Sequence, residues 1–251
     1  MSDYQEEVSS LPRSPRPVVP PRSINVSIVE RYIPPTSPRE FADLTNINGP
    51  SILVDRLTEL SPNNGSLVFI YPTKAGAETF VKNYLSPVLD PLLRTMCVTH
   101  GLSSEIGVLL GKMAAVERLS SHETLLRGVR HLCARLTQRS STMERFHGKG
   151  AQFDVVYATK QDVVLPRDVW AKYWWSKQEK PRVRDVITKY AQEAQKRSSN
   201  QYMSRPPTAT ELIQELLEGV CQRPYQADQA PKGGIEVSVF VIKRTERDGV
   251  A

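Results

Sequence analysis

The stretch that decides the fold class is Ser51-Ile-Leu-Val-Asp-Arg-Leu-Thr-Glu-Leu60-Ser-Pro-Asn-Asn-Gly65-Ser-Leu-Val-Phe-Ile-Tyr71-Pro-Thr-Lys-Ala-Gly76. Residues 51–60 read as a helix, and Ser61-Pro62-Asn63-Asn64-Gly65 stops it with strong turn chemistry. Leu67–Tyr71 follows as a continuous apolar run too short to be a helix. Strands of that kind lie under helices on both faces, so this is one unit of an open α/β sheet. In such sheets ligands sit outside the carboxyl ends of the strands. Tyr71, Thr73 and Lys74 after this strand, and Tyr32 after an earlier one, are therefore the candidate substrate-binding residues. Thr73 has a competing role as the cap of the next helix.

Outward from that unit, Ile24–Val29 reads as a strand ending before Tyr32-Ile33-Pro34-Pro35. Residues 76–94 read as a helix that Pro87 and Pro91 must kink or split. The next hundred residues are mostly helical. Leu102, Ile106, Leu109, Leu110 and Met113 share one apolar stripe, and Leu125, Leu126, Val129, Leu132, Cys133 and Leu136 share another. Strands are expected at 153–158 and, opened by Gly233-Gly234, at 235–242. Between them, two amphipathic helices are expected to separate near Pro181, and Thr208 with Glu211 forms a capping box for a last helix. The expected organisation is an arm over 1–22, one α/β domain over 23–245 with helical insertions at 101–150 and 166–222, and a tail over 246–251.

The chain has 251 residues, 39% of them hydrophobic and 24% charged, enough to bury the core of one sizeable domain. Its net charge of +6 is concentrated in the middle, where residues 101–200 carry 18 Lys and Arg against 10 Asp and Glu. Such a region attracts polyanions or keeps helices in solution. Three distant cysteines (Cys97, Cys133, Cys221) argue against a disulfide framework or a zinc site, and point to a reducing compartment, cytoplasmic or nuclear. No run of eighteen apolar residues occurs, so membrane spanning is not expected; His122, His131 and His147 lack paired ligand spacing, so metal binding is not expected either.

Residues 1–22 hold five prolines among serines and arginines, a composition that resists regular structure. Within them Pro17-Val-Val-Pro20-Pro21-Arg22 fits a P-x-x-P-x-R ligand, so a protein that binds Pro-rich motifs at Pro17, Pro20 and Arg22 is one expected partner.

The order of strands and helices, and above all Leu57-Thr-Glu-Leu60-Ser-Pro-Asn-Asn-Gly65-Ser-Leu-Val-Phe-Ile70, resembles the carboxyl half of a class I S-adenosylmethionine-dependent methyltransferase. The chain is also similar to fungal proteins in which the same half occurs. The resemblance implies an open, mostly parallel Rossmann-like sheet, incomplete, closed by an antiparallel hairpin of the last two strands. It implies a methyltransferase-like protein that acts on or binds a small organic molecule. The family's cofactor contacts are a glycine-rich turn after its first strand and an acidic residue after its second. Neither is visible here, since Gly148-Lys-Gly150 precedes a strand. S-adenosylmethionine is thus expected only at a site outside the usual motif, and no catalytic residue can be named. The rival expectation is a noncatalytic interaction protein that binds a protein or a polyanion through its Pro-rich arm and basic helices.

Two further groups carry possible chemistry. Cys97 and His100 stand three apart, close enough on a helix for an imidazole to activate a thiolate, although a buried apolar cysteine is the commoner outcome. Trp170-Ala-Lys172-Tyr173-Trp174-Trp175-Ser-Lys177, with Lys180, Arg182 and Arg184, interleaves aromatics and cations as single-stranded nucleic-acid sites do. Helical spacing sends Trp170, Tyr173 and Trp174 into a core seam and leaves Trp175 exposed, and Asp168, Glu179 and Asp185 interrupt the positive field. Nucleic-acid binding is accordingly not expected.

Overall fold

The computed structural model describes residues 16–47, 49–138, 150–198, 207–225, 230–231 and 233–246. Four strands form one sheet: β1 (Val26–Glu30), β2 (Ser66–Pro72), β3 (Ala151–Val163) and β4 (Ile235–Glu246), in the order β1-β2-β4-β3. β1 and β2 are parallel, with Ile28 opposite Val68. β4 runs antiparallel to β2, with Phe240 opposite Phe69, and antiparallel to β3, with Phe240 opposite Ala158. The expected four strands therefore share one sheet and the last two pair as antiparallel neighbours. The sheet is mixed, however, where a mostly parallel one was expected: β4 returns between β2 and β3, so only one of three pairings is parallel.

Side chains alternate across the sheet. Leu67, Phe69, Tyr71, Phe240 and Ile242 enter one core, covered by α1 (Pro38–Asp43), α2 (Ile52–Glu59) and a later helix that packs on β3. Ile70, Val237 and Val239 face a second core built by the remaining helices. The result is three layers, helices on both faces of the sheet. Val68 was expected to be fully covered but is half-buried. On its face the row Ile28, Val68, Val241 and Tyr157 crosses the whole sheet, with Ile28 62% and Tyr157 53% exposed.

The turn after α2 is built as its sequence dictates. Ser51 caps the helix, its hydroxyl accepting the Val54 N–H (3.3 Å), and Asn64 takes a left-handed conformation (φ 61°) before Gly65. Arg244 of β4 is fully buried under this turn. Its guanidinium donates to the Leu60 carbonyl (2.7 Å) and to Glu246 (3.1 Å), which places a cation at the carboxyl end of α2.

Pro87 was expected to kink or split its helix, and the chain instead absorbs it. α3 (Lys74–Thr79) widens into a π turn (Phe80–Leu85) and continues as α4 (Ser86–His100), with Pro91 inside it. The Ser86 N–H bonds the Val81 carbonyl five residues back, which re-routes the ladder just ahead of the residue that cannot donate. After α5 (Glu105–Gly111) and α6 (His122–Thr137), the same device recurs. The expected break near Pro181 is absent: a π turn (Asp168–Trp175) runs into α7 (Ser176–Ser198), which carries Pro181 inside it, and α8 (Ala209–Gln222) follows behind its Thr208–Glu211 capping box.

Residues 16–22, expected within the arm, lie along α2. The Val18 and Val19 N–H groups donate to the buried Glu59 carboxylate, and Arg22 pairs with Glu246 (3.3 Å). Residues 1–15 and the segments holding Arg139, Arg145 and Lys149 lie outside the described residues. Among those described, no helix is long and apolar enough to cross a membrane.

Candidate ligand cleft beside the parallel strands

Where β1 ends, its last residue and the three that follow form one wall of a cleft of about 390 Å³. Glu30, Arg31, Tyr32 and Ile33 face Trp174, Lys177 and Gln178 from the second π turn and the start of α7. The Tyr32 and Trp174 rings lie nearly parallel, centroids 5.2 Å apart and 8° between planes. The Tyr32 hydroxyl donates to Glu30 (3.1 Å). Partial burial, followed by the Glu30 charge, raises its pKa and keeps it a neutral donor.

Arg31 braces the cleft. Its guanidinium donates to the Glu40 carboxylate, to the Gln178 side-chain oxygen and to the Ile33 carbonyl (3.2 Å), while Gln178 donates to the Pro34 carbonyl (2.8 Å). The buried Glu179 accepts from Thr36 (3.1 Å) and Arg182 (2.6 Å), tying the loop after β1 to α7. These bonds fix the aromatic wall before any ligand arrives. Lys177 is exposed, its Nζ 5.6 Å from the centroid of the Tyr173 ring.

Of the four sequence-derived candidates, only Tyr32 lines this cleft. Tyr71 points into the opposite core, where its ring stacks on Phe41 and burial pushes its hydroxyl pKa well above the ordinary value. Thr73 is a buried helix cap: its hydroxyl accepts the Gly76 N–H (3.1 Å) and donates to Glu236 Oε1 (2.6 Å). Lys74 has an exposed side chain, and its backbone N–H donates to the Ser120 carbonyl (2.9 Å). Neither Thr73 nor Lys74 touches Tyr32 or its cleft.

Cys97 and His100 do not meet. The Cys97 thiol donates to the Ser103 carbonyl (3.4 Å), burial raises its pKa, and His100 pairs with Glu215 (2.9 Å). In the aromatic patch Trp170 enters the core as expected, while Tyr173 and Trp175 exchange the expected places. Trp170 and Trp175 are buried, Trp175 at 1% exposure, while Tyr173 is exposed and Trp174 reaches the cleft. Arg182 is spent on backbone carbonyls and Glu179, so the cations of the patch do not form one free row.

Trp174, Lys177, Gln178, Glu30 and Arg31 were not among the candidate site residues. The aromatic-cation patch was the available signal for Trp174 and Lys177, but the partner wall lies 140 residues earlier in the chain. Among the described residues, no group of three His, Cys, Asp or Glu side chains is placed to hold a metal ion.

No family model and no curated protein matches this chain.

Proposed function

We propose that this chain is a small-molecule-binding domain of methyltransferase-like topology, and that the Tyr32–Trp174 cleft takes a planar aromatic ligand carrying an anionic group. The stacked pair carries the reading. A ring laid against it extends the stack, with Lys177 available to a carboxylate and Glu30 to a donor on the ligand. The order of one parallel pair followed by an antiparallel return supports the family resemblance.

The described residues do not fit S-adenosylmethionine. β1, the parallel strand farthest from β4, has no strand beyond it among the described residues. Among the described residues, the two glycines with positive φ, Gly101 and Gly150, end a helix and precede a strand. Neither supplies the close backbone approach that a glycine turn after a strand gives a cofactor.

Calorimetric titration with naphthalene carboxylate tests the reading. Binding that is lost in Trp174→Ala and weakened about tenfold, or about 1.4 kcal/mol, in Lys177→Ala supports it. Equal binding to wild type and Trp174→Ala removes it.

A second reading, a polyanion-binding protein, has its own observation. Arg127, Arg130 and Arg135 stand exposed along α6 with no ion pair among the described residues. On that reading, affinity for heparin or nucleic acid falls steeply with salt through counterion release, and the three-alanine variant flattens the slope.

A further inference from the structure

Helices α4 and α5 diverge from the turn at Gly101 and leave an open groove of about 710 Å³ between them, sharing no residue with the cleft at Tyr32. Its floor holds the buried Leu93 and the half-buried Cys97. Val98 and Val108 rise on either side, 86% and 59% exposed. On the α5 side Gly107 and Gly111 leave bare backbone between Ser104, Val108 and Lys112. A Cβ built on Gly107 meets nothing within 4 Å, and one on Gly111 would lie 3.5 Å from the Asp90 carboxylate. The charged lining residues are Asp90, Arg94 and Lys112, and among the described residues none of the three is in an ion pair, so the charged part of the groove is net positive.

The groove is preformed. Arg182 donates to the carbonyls of Leu109 (2.9 Å), Leu110 (3.3 Å) and Lys112 (2.9 Å), capping the carboxyl end of α5, and is itself held by Glu179. α5 has only seven residues, a wall about 10 Å long. That is less than two full turns, too short to seat a partner helix over the area a stable protein interface needs. The volume lies within the range of small-molecule sites.

We propose that this groove binds a free medium-chain carboxylate, its hydrocarbon tail between Val98 and Val108 over the bare backbone of Gly107, and its carboxylate at Arg94 and Lys112. The apolar lining removes the tail from water. The unpaired cations select an anionic head over a neutral or cationic one, and the missing side chains at Gly107 and Gly111 give the tail its depth.

The test is calorimetry on the full chain with octanoate, decanoate and dodecanoate below their micelle concentrations. Affinity is expected to rise about fourfold per added methylene while the groove fills. Gly107→Leu, whose new side chain enters the groove, is expected to abolish binding while the thermal melt stays intact. Arg94→Glu combined with Lys112→Glu is expected to weaken carboxylate binding and favour dodecylammonium instead. Dodecanoate is also expected to slow alkylation of Cys97 but not of Cys221, which locates the ligand without relying on the variants. Affinity independent of chain length, unchanged binding by a folded Gly107→Leu protein, indifference to the charge reversal, or protection of Cys221 in place of Cys97 would each overturn the proposal. So would a homodimer that Gly107→Leu dissociates, because a second copy would then be the occupant.

Discussion

Trp170 and Trp175 stand five residues apart on one helix and are buried in the same core, while Trp174 between them turns to the cleft. An α-helix aligns residues three and four apart. Here the Ser176 N–H bonds the Ala171 carbonyl five back, and the Ser176 hydroxyl bonds it as well (2.6 Å), so the turn aligns Trp170 with Trp175. The π turn is thus what frees Trp174 to meet Tyr32.

The stabilities of the three tryptophan variants should separate accordingly. Trp170→Ala and Trp175→Ala are expected to cost about 3–5 kcal/mol each in urea denaturation, as large core deletions do. Trp174→Ala is expected to cost about 1 kcal/mol, the scale of one aromatic pair. A Trp174 variant as damaging as the other two would mean that this ring belongs to the core.

Arg244 should prove a structural cation. With its guanidinium on the Leu60 and Thr58 carbonyls, Arg244→Ala strands buried acceptors at the end of α2 and is expected to destabilise by about 3 kcal/mol or more. Glu246→Gln, at a half-buried partner, is expected to cost less than about 1 kcal/mol in the same assay.

Two glycines give opposite outcomes. A Cβ on Gly76 would sit 1.9 Å from the Glu236 carbonyl oxygen, where α3 passes close over β4, so Gly76→Ala is expected to lose about 2 kcal/mol or more. Gly107→Ala, with open space and ordinary helical conformation, is expected to gain about 0.5–1 kcal/mol. A melting temperature that rises in Gly76→Ala or falls in Gly107→Ala would contradict the corresponding placement.

Alkaline pH should destabilise the fold in a defined window. Burial is the main cause that raises Cys133 and Tyr225 to about 12, and the Glu105 hydrogen bond is the main cause that raises Tyr190 to about 12. Below about pH 8 these groups are largely protonated in both folded and unfolded chains. As pH rises from about 8 to 12 the unfolded chain releases its protons first, Cys133 before the two tyrosines, so it binds fewer protons than the folded chain and stability falls. Denaturation midpoints flat to about pH 8 and declining above it are expected. Alkylation near pH 8 should leave Cys133 unmodified in the folded protein.

How much of this was legible in the sequence depended on whether a local pattern met an ordinary helix or strand. Ser61-Pro62-Asn63-Asn64-Gly65 and the apolar runs around it specified their own turn and strands, because turn chemistry and period-two packing are local. Pro87 and Pro181 misled because α periodicity was assumed. A π turn ahead of Pro87 keeps the helix running, and the second π turn, ahead of α7, rotates Trp174 and Trp175 relative to the expected stripe. The strand end at Pro72 pointed to Thr73 and Lys74, but the Thr73 hydroxyl is consumed by the distant Glu236 carboxylate and by the local Gly76 N–H that it caps. The cleft joins Tyr32 to Trp174 across the fold, a pairing that no spacing in the chain announces.

S-adenosylmethionine is expected to bind no tighter than millimolar, about −4 kcal/mol, since no glycine turn follows a strand among the described residues. Micromolar binding by calorimetry would show that a different set of residues holds it.

The cleft itself is tested most directly by the indole N–H resonances of the three tryptophans, assigned by substitution and followed while naphthalene carboxylate is added. The Trp174 signal alone is expected to move, and to move less in Lys177→Ala at the same subsaturating ligand concentration, with Trp170 and Trp175 unaffected in the core. A Trp174 signal that stays fixed at saturating ligand, or shifts confined to Trp170 and Trp175, would contradict the assignment of the Tyr32–Trp174 cleft as the binding site.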